Sequence, residues 1–221
     1  MDRCLPRPPT HPDAAVTILG PKHVDRIVRA LRAGEVVGIP TDTVYGLAAM
    51  PNDADAVSKL AGLKGRSDQQ PIAVLFDEIE GVAPYVEDAS ALARMARFWP
   101  GALTAILRAR DGLATAALTR LGTLGMRQPD DDLARSVIRA CGGALAVSSA
   151  NRTGEPPALS AEEVAAAFGD AMLVLDGGPR PGGTASTVVN LAVDPPEALR
   201  EGPIDAGEVL AAVSESRLSG R

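Results

Sequence analysis

An apolar run, Val36-Val37-Gly38-Ile39, stops at Pro40 and is followed by Thr41-Asp42-Thr43-Val44-Tyr45-Gly46-Leu47. Proline cannot donate to a sheet ladder, so the run reads as a buried strand that ends there. Hydroxyls at Thr41, Thr43 and Tyr45 and the carboxylate of Asp42 then crowd together, and Gly46 permits a turn or a close backbone approach. An ordinary turn needs fewer directed hydrogen-bonding groups, so the stretch reads as the lining of a site with a helix after it. The competing reading is a strand-to-helix turn capped by Asp42 or Thr43.

The rest of the chain repeats the change of period that this stretch introduces. Val24, Ile27, Val28 and Leu31 fall at helical spacing before Gly34, and Ala54, Val57, Leu60 and Ala61 do so in a second helix over Asp53–Ala61. Helices are also expected over Ser90–Trp99 and Asp131–Cys141, and after Ser160-Ala-Glu-Glu163 and Asp205-Ala-Gly-Glu208, both of which have the form of a capping box. Apolar runs at Ile72–Phe76, Leu103–Leu107, Thr123–Arg127, Ala144–Val147, Met172–Leu175 and Ser186–Leu191 read as strands. Alternating strands and helices predict an α/β fold, a single domain around one largely buried sheet. Its expected limits are residues 16–215, between a disordered proline-rich tail (1–15) and a short C-terminal tail (216–221).

Composition narrows the function classes. Only 3% of residues are aromatic against 46% hydrophobic, so the core must be aliphatic. A net charge of −6 argues against sequence-independent binding to a nucleic-acid backbone, although a local basic cleft stays open. No apolar run approaches the roughly 18 residues of a membrane span, and the N-terminus lacks a signal core, so a cytoplasmic protein is expected. Cys4 and Cys141 form no disulfide framework, and no Cys/His spacing suggests zinc. No Ser-His pairing supports a hydrolase triad.

Four polar clusters follow apolar strands or interrupt them: Thr41–Tyr45, Lys64-Gly65-Arg66 at the end of the second helix, Thr123 with Arg127 inside a short strand, and Ser148-Ser149-Ala150-Asn151. Ligands of open α/β sheets bind beyond the carboxyl ends of strands, which suits the first and fourth clusters. Lys64, Arg66 and Arg127 are suited to phosphate, arginine as a planar fork and lysine as a point charge. No P-loop and no glycine-rich dinucleotide fingerprint is present, so any nucleotide must be held by scattered side chains. Each cluster also has a plain structural reading. Lys64-Gly-Arg66 fits a solvated helix C-terminus, Arg127 fits an edge strand, and Ser-Ser-Ala-Asn fits a turn.

Taken in order, Pro40-Thr-Asp-Thr-Val-Tyr-Gly-Leu47, Lys64-Gly-Arg66 before Pro71, Trp99-Pro-Gly-Ala-Leu-Thr104, Met126-Arg-Gln-Pro129, Ser149-Ala-Asn151 with Gly154, and Ser186-Thr-Val188 form a combined pattern. It resembles the YrdC/Sua5 family, the L-threonylcarbamoyladenylate synthases, over roughly residues 20 to 205. Lacking room for the extra C-terminal Sua5 domain, the chain is similar to the short, YrdC-like form. The resemblance implies a twisted α/β fold with a concave, positively charged cleft. It implies that ATP with Mg2+, L-threonine and bicarbonate give threonylcarbamoyl-AMP and pyrophosphate. A partner transferase complex then passes the threonylcarbamoyl group to adenosine in tRNAs reading ANN codons, tRNA itself being at most a transient partner. Carried over by position, Lys64, Arg66, Ser149 and Asn151 are expected around the ATP phosphates and adenylate, with Lys64 and Arg66 as the catalytic cations. Thr41, Arg127 and Ser186 are expected at L-threonine, and Thr123 and Arg200 at the nucleotide. No metal ligand is assigned to a protein side chain. Ser67 stands where the family usually has proline, which loosens that loop without removing charge. The Gly177–Gly183 segment, rich in glycine and proline, is the expected lid over the carbamate. The rival readings are a double-stranded RNA or tRNA-binding module without catalysis, and a carbamoyl-transfer domain of related fold.

Overall fold

The computed structural model describes residues 17–64, 72–110, 122–169, 172–181 and 184–219, the side chains of 215–219 excepted. One ten-stranded mixed sheet runs through it. The strands are β1 (Thr17–Leu19), β2 (Val37–Ile39), β3 (Gly46–Ala49), β4 (Ala73–Phe76), β5 (Leu103–Arg108), β6 (Thr123–Arg127), β7 (Ala144–Ser149), β8 (Leu173–Leu175), β9 (Thr187–Asn190) and β10 (Glu197–Arg200). The helices are α1 (Val24–Arg32), α2 (Ala54–Leu63), α3 (Ile79–Val82), α4 (Ala89–Met95), α5 (Asp132–Ala140), α6 (Ala161–Phe168) and α7 (Ala206–Ser219). Strand order is β1-β8-β2-β3-β7-β4-β6-β5-β9-β10. Antiparallel pairs (β2/β3, β3/β7, β7/β4, β6/β5) are interleaved with parallel ones (β4/β6, β5/β9).

Helix starts follow local chemistry. Asp53, Asp88, Asp131 and Ser160 each accept a backbone N–H at the head of α2, α4, α5 and α6, as N-caps should. The box at Ser160 is only half reciprocal: Glu163 reaches back to the N–H of Leu159 instead of that of Ser160. Asp205 accepts from Glu208 N at the head of α7, and the helix then runs to Ser219. No glycine or proline interrupts the chain between Glu208 and Ser219, so the helix continues past the tail boundary expected at residue 216.

Alternation along the strands divides the core in two. Val74 and Phe76 of β4, Leu124 and Met126 of β6, and Leu103 and Ala105 of β5 face α2, α4 and α7. Leu75, Leu145 and Val147 face the other way, with Val37 and Ile39, against α1 and α5. Each fully buried Leu or Ile contributes about 1.5–3 kcal/mol. Besides the aliphatic side chains, Phe76 meets Trp99 edge to face, with centroids 5.1 Å apart. The α1/α5 layer is bound together by Arg32 donating to Ala140 O, yet it covers only part of its sheet face. The uncovered part holds the site.

Three strands differ from the reading of the sequence or were not seen in it. Gly46–Ala49, expected to lead into a helix, is β3, between β2 and β7. Its four residues are all buried, and in that setting sheet pairing overrides the helix preference of alanine. β1 and β10 were not anticipated and form the two edges of the sheet.

Candidate functional site

A cavity of about 550 Å³ opens on the uncovered face. Its floor is built by period-two alternation: Ala73 and Leu75 from β4, Thr104 and Ile106 from β5, Gly125 and Arg127 from β6, Val147 and Ser149 from β7. The site therefore lies across the face of the sheet, not beyond the strand ends as the open-sheet analogy suggested. Mixed strand directions explain this, since no common carboxyl edge exists. Gly46 also belongs to the floor. A Cβ there would sit 2.6 Å from Val147 Cγ1, so the Val147 side chain fills the space that any side chain at position 46 would need.

Thr41, Arg127, Ser149, Asn151, Ser186 and Arg200 all line this one space. Around them are three polar corners. At the first, the Thr41 hydroxyl donates to Val44 O at 2.7 Å and accepts from the N–H groups of Thr43 and Val44, closing the turn after Pro40. Neither Asp42 nor Thr43 caps a helix. Both are acceptors for Arg127, whose Nη2 reaches Asp42 Oδ1 at 2.6 Å and whose Nη1 reaches Thr43 Oγ1 at 3.2 Å. Arg127 Nε donates to Gly101 O, and the guanidinium is buried. Three of its five N–H bonds thus have protein acceptors, leaving two for a ligand among the described residues.

At the second corner, Arg200 Nε donates to Ser186 O at 2.8 Å and Nη2 to Ser186 Oγ at 3.1 Å. Thr104 Oγ1 lies 2.9 Å from the same Ser186 oxygen. Among the described residues Arg200 has no carboxylate within ion-pair distance, and it stays accessible at the mouth of the cavity. Partial burial, and secondarily the charge of Arg127, holds its guanidinium below the usual arginine range. Two cations facing one cavity, only one with a counter-ion, make an anion-binding pole.

At the third corner the expected phosphate lysine is turned inward. Lys64 is 1% exposed and does not line the cavity. Its ammonium donates to Ser149 O (2.5 Å), Asn151 Oδ1 (2.7 Å) and Ser149 Oγ (3.1 Å). Asn151 Nδ2 in turn donates to Arg152 O and Glu155 O, so the turn after β7 is held on all sides. Arg66 and Ser67 lie outside the described residues. Thr123 lies on the cavity face of β6, two residues beyond Gly125, and outside the wall itself.

The Gly177–Pro181 part of the expected lid is fastened to the scaffold. Tyr45, fully buried, donates its hydroxyl to Gly178 O at 2.9 Å and accepts from Gly177 N at 3.1 Å. Arg180 donates to Thr41 O and, at 2.7 Å, to Asp131 Oδ2. A Cβ on Gly177 would clash with Pro40 Cγ at 2.7 Å. This part braces the Thr41 turn from behind and contributes nothing to the cavity wall. Residues 182 and 183 lie outside the described residues. Asp42 was read as part of a site lining but not as the partner of Arg127, and Thr104 and Arg180 were not anticipated as site residues. Their only sequence signal is membership of the polar stretch, the Trp99–Thr104 motif and the Gly/Pro-rich segment.

A family model described as Sua5_yciO_yrdC, telomere recombination, matches residues 29–202. The chain belongs to the Sua5/YciO/YrdC family. Among Sua5/YciO/YrdC proteins it is 41% identical over 191 residues to the threonylcarbamoyl-AMP synthase of Bacillus subtilis, covering 83% of this chain and 54% of that one. It is 37% identical over 186 residues to a putative threonylcarbamoyl-AMP synthase of Mycobacterium tuberculosis, covering 82% and 85%. The chain thus spans about half the length of the first of these relatives. The structure of P. abyssi Sua5 complexed with L-threonine superposes with a TM-score of 0.83 at 30% identity, covering 90% of this chain and 62% of that one. Members of the family therefore share this sheet and the helices around it.

Proposed function

We propose that this chain is an L-threonylcarbamoyladenylate synthase, joining ATP, L-threonine and bicarbonate to give threonylcarbamoyl-AMP, pyrophosphate and water for threonylcarbamoyladenosine modification of tRNA. One observation carries this reading: Thr41, Arg127, Ser149, Asn151, Ser186 and Arg200, far apart in sequence, line a single cavity. The synthase names of relatives at 37–41% identity support it.

The chemistry asks for little beyond placement and charge. Threonine carbamate carries its own negative charge and attacks the α-phosphorus of ATP, so no general base is needed. Arg127, with two N–H bonds left over, takes the amino-acid carboxylate, while Thr41 and Ser186 flank it. Arg200 faces the nucleotide, with Thr123 further along the face of β6 that carries Arg127. Ser149 and Asn151, fixed by Lys64, shape the wall where phosphate lies, and Arg66 supplies the second cation of its motif. Rate then comes from holding the carbamate in line and balancing charge as pyrophosphate leaves. Among the described residues no group of three His, Cys, Asp or Glu side chains is placed to hold a metal, and no carboxylate lines the cavity. The donor set does not suit a protein-held Mg2+, so the ion enters as the ATP complex. Transfer to tRNA is the work of separate transferase proteins. No helix among the described residues is long and apolar enough to cross a membrane.

Pyrophosphate release from ATP with bicarbonate and a panel of amino acids tests the proposal. Release that depends on L-threonine supports it. Salt-sensitive tRNA retention without release favours the binding-module reading instead.

A further inference from the structure

The Arg127 guanidinium sits between two unlike neighbours, and one of them has no role in the reaction as written. Asp42 Oδ1 is 2.6 Å from Arg127 Nη2, and the two side chains are 13% and 7% exposed. A carboxylate this sheltered, on a guanidinium this sheltered, is a charge-assisted contact that water screens little. Asp42 is not part of the cavity wall, whereas Arg127 is. Thr43 Oγ1 and Gly101 O hold the other two positions of the fork, but both are neutral acceptors. Arg200 meanwhile pushes on Arg127 as a like charge. Without the carboxylate, two cations would face each other across a cavity before any ligand arrives, and Arg127 could relieve the repulsion by rotating away.

We propose that Asp42 is a positioning residue, which acts through Arg127 to keep its two remaining N–H bonds aimed at the carboxylate of the amino-acid substrate. The inference rests on the synthase reading above. Asp42 touches no reacting atom. It prevents the empty site from collapsing under its own charge, and it makes the fork ready for a planar carboxylate instead of a phosphate.

The test is steady-state pyrophosphate release by the full chain, with KM measured separately for L-threonine and for ATP. Asp42→Ala is expected to raise the KM for L-threonine about tenfold or more, with kcat and the KM for ATP within about threefold of the parent. Asp42→Asn keeps one acceptor but not the charge, and recovers little of the loss. In an Arg127→Ala background, Asp42→Ala adds nothing. Equal rises in both KM values, or additive losses in the double variant, overturn the proposal. Should Asp42→Ala not fold, Asp42→Glu decides. Its longer stem displaces the fork, so an unchanged KM for L-threonine in a folded Asp42→Glu protein also overturns it. Absence of L-threonine-dependent release in the parent chain would sink the synthase reading itself, a separate result.

Discussion

The cavity has two cationic regions that treat their charge in opposite ways. At the Lys64 corner the ammonium is buried, turned from the cavity, and fully engaged by Ser149 and Asn151. At the Arg127/Arg200 pole one guanidinium is half engaged and the other has no carboxylate partner among the described residues. The first arrangement builds structure: a positive charge buried among acceptors fixes a turn, and removing it takes a charged donor from each of them. The second arrangement stores unsatisfied charge for a ligand. Cations that look alike in sequence therefore differ in space, one set as a clamp and the other as a candidate receptor. Tyr45 joins the two: its backbone N–H donates to Ala158 O and its carbonyl accepts from Ala150 N, next to the clamped turn.

The largest effect should fall on the receptor. Arg127→Ala should lower kcat/KM for L-threonine by about 100-fold or more, because it removes the substrate's partner. Activity lost equally through the KM for ATP would break the division of labour. Lys64→Ala should behave differently. It takes the charged donor from Ser149 O and Asn151 Oδ1, which keep only Asn151 N and Ser149 Oγ, costing about 1–3 kcal/mol of stability alongside the activity. Lys64→Arg should not rescue it, since a planar fork cannot replace a compact ammonium reaching three acceptors on one turn. Chemical denaturation of both variants checks this. An Lys64→Ala protein as stable as the parent would show that the clamp is no clamp.

How much of this the sequence allowed to be read follows from where each interaction is encoded. Period and caps are local, so α1, α2, α5 and α6 and the strands around Arg127 and Ser149 were legible. β3 was not, because Gly46-Leu-Ala-Ala has the composition of a helix and becomes a strand only between β2 and β7. β10 was not either: Glu197-Ala-Leu-Arg200 is exposed throughout and lacks alternation. The residue types of the site were visible, and their gathering was inferred through family resemblance. The inward turn of Lys64 was invisible, because it depends on acceptors 85 and 87 positions away. The Asp42–Arg127 pair spans 85 positions and was equally out of reach of local pattern.

A smaller effect sharpens the receptor side. If Arg200 stores charge for an anion, saturating pyrophosphate should stabilise the parent chain by roughly 2–3 kcal/mol at a hundredfold excess over Kd. Arg200→Ala should lose most of that gain while its ligand-free melting temperature stays close to the parent's, because its loss also relieves the repulsion with Arg127. Ligand-dependent thermal shift measures both quantities. A large drop in ligand-free stability would make Arg200 a structural residue like Lys64.

The smallest effect concerns the hinge between the two regions. Tyr45→Phe keeps the ring and its packing but leaves Gly177 N without its acceptor, while Gly178 O retains Arg180 Nε. The expected cost is about 1 kcal/mol. Burial, ahead of the Asp176 charge, raises the phenol above tyrosine's ordinary 10.0, so ionisation is harder in the folded chain than in the unfolded one. A raised folded-state value means that the proton stabilises the fold fully below pH 10 and progressively less as pH climbs through that value. The stability gap between parent and Tyr45→Phe should therefore be flat from neutral pH to about 10 and narrow above it. Denaturant titrations at a series of alkaline pH values follow the gap. One that widened with rising pH would mean that the folded chain prefers the phenolate, and that the Gly177–Pro181 brace is held by charge, like the receptor, instead of by neutral hydrogen bonds, like the clamp.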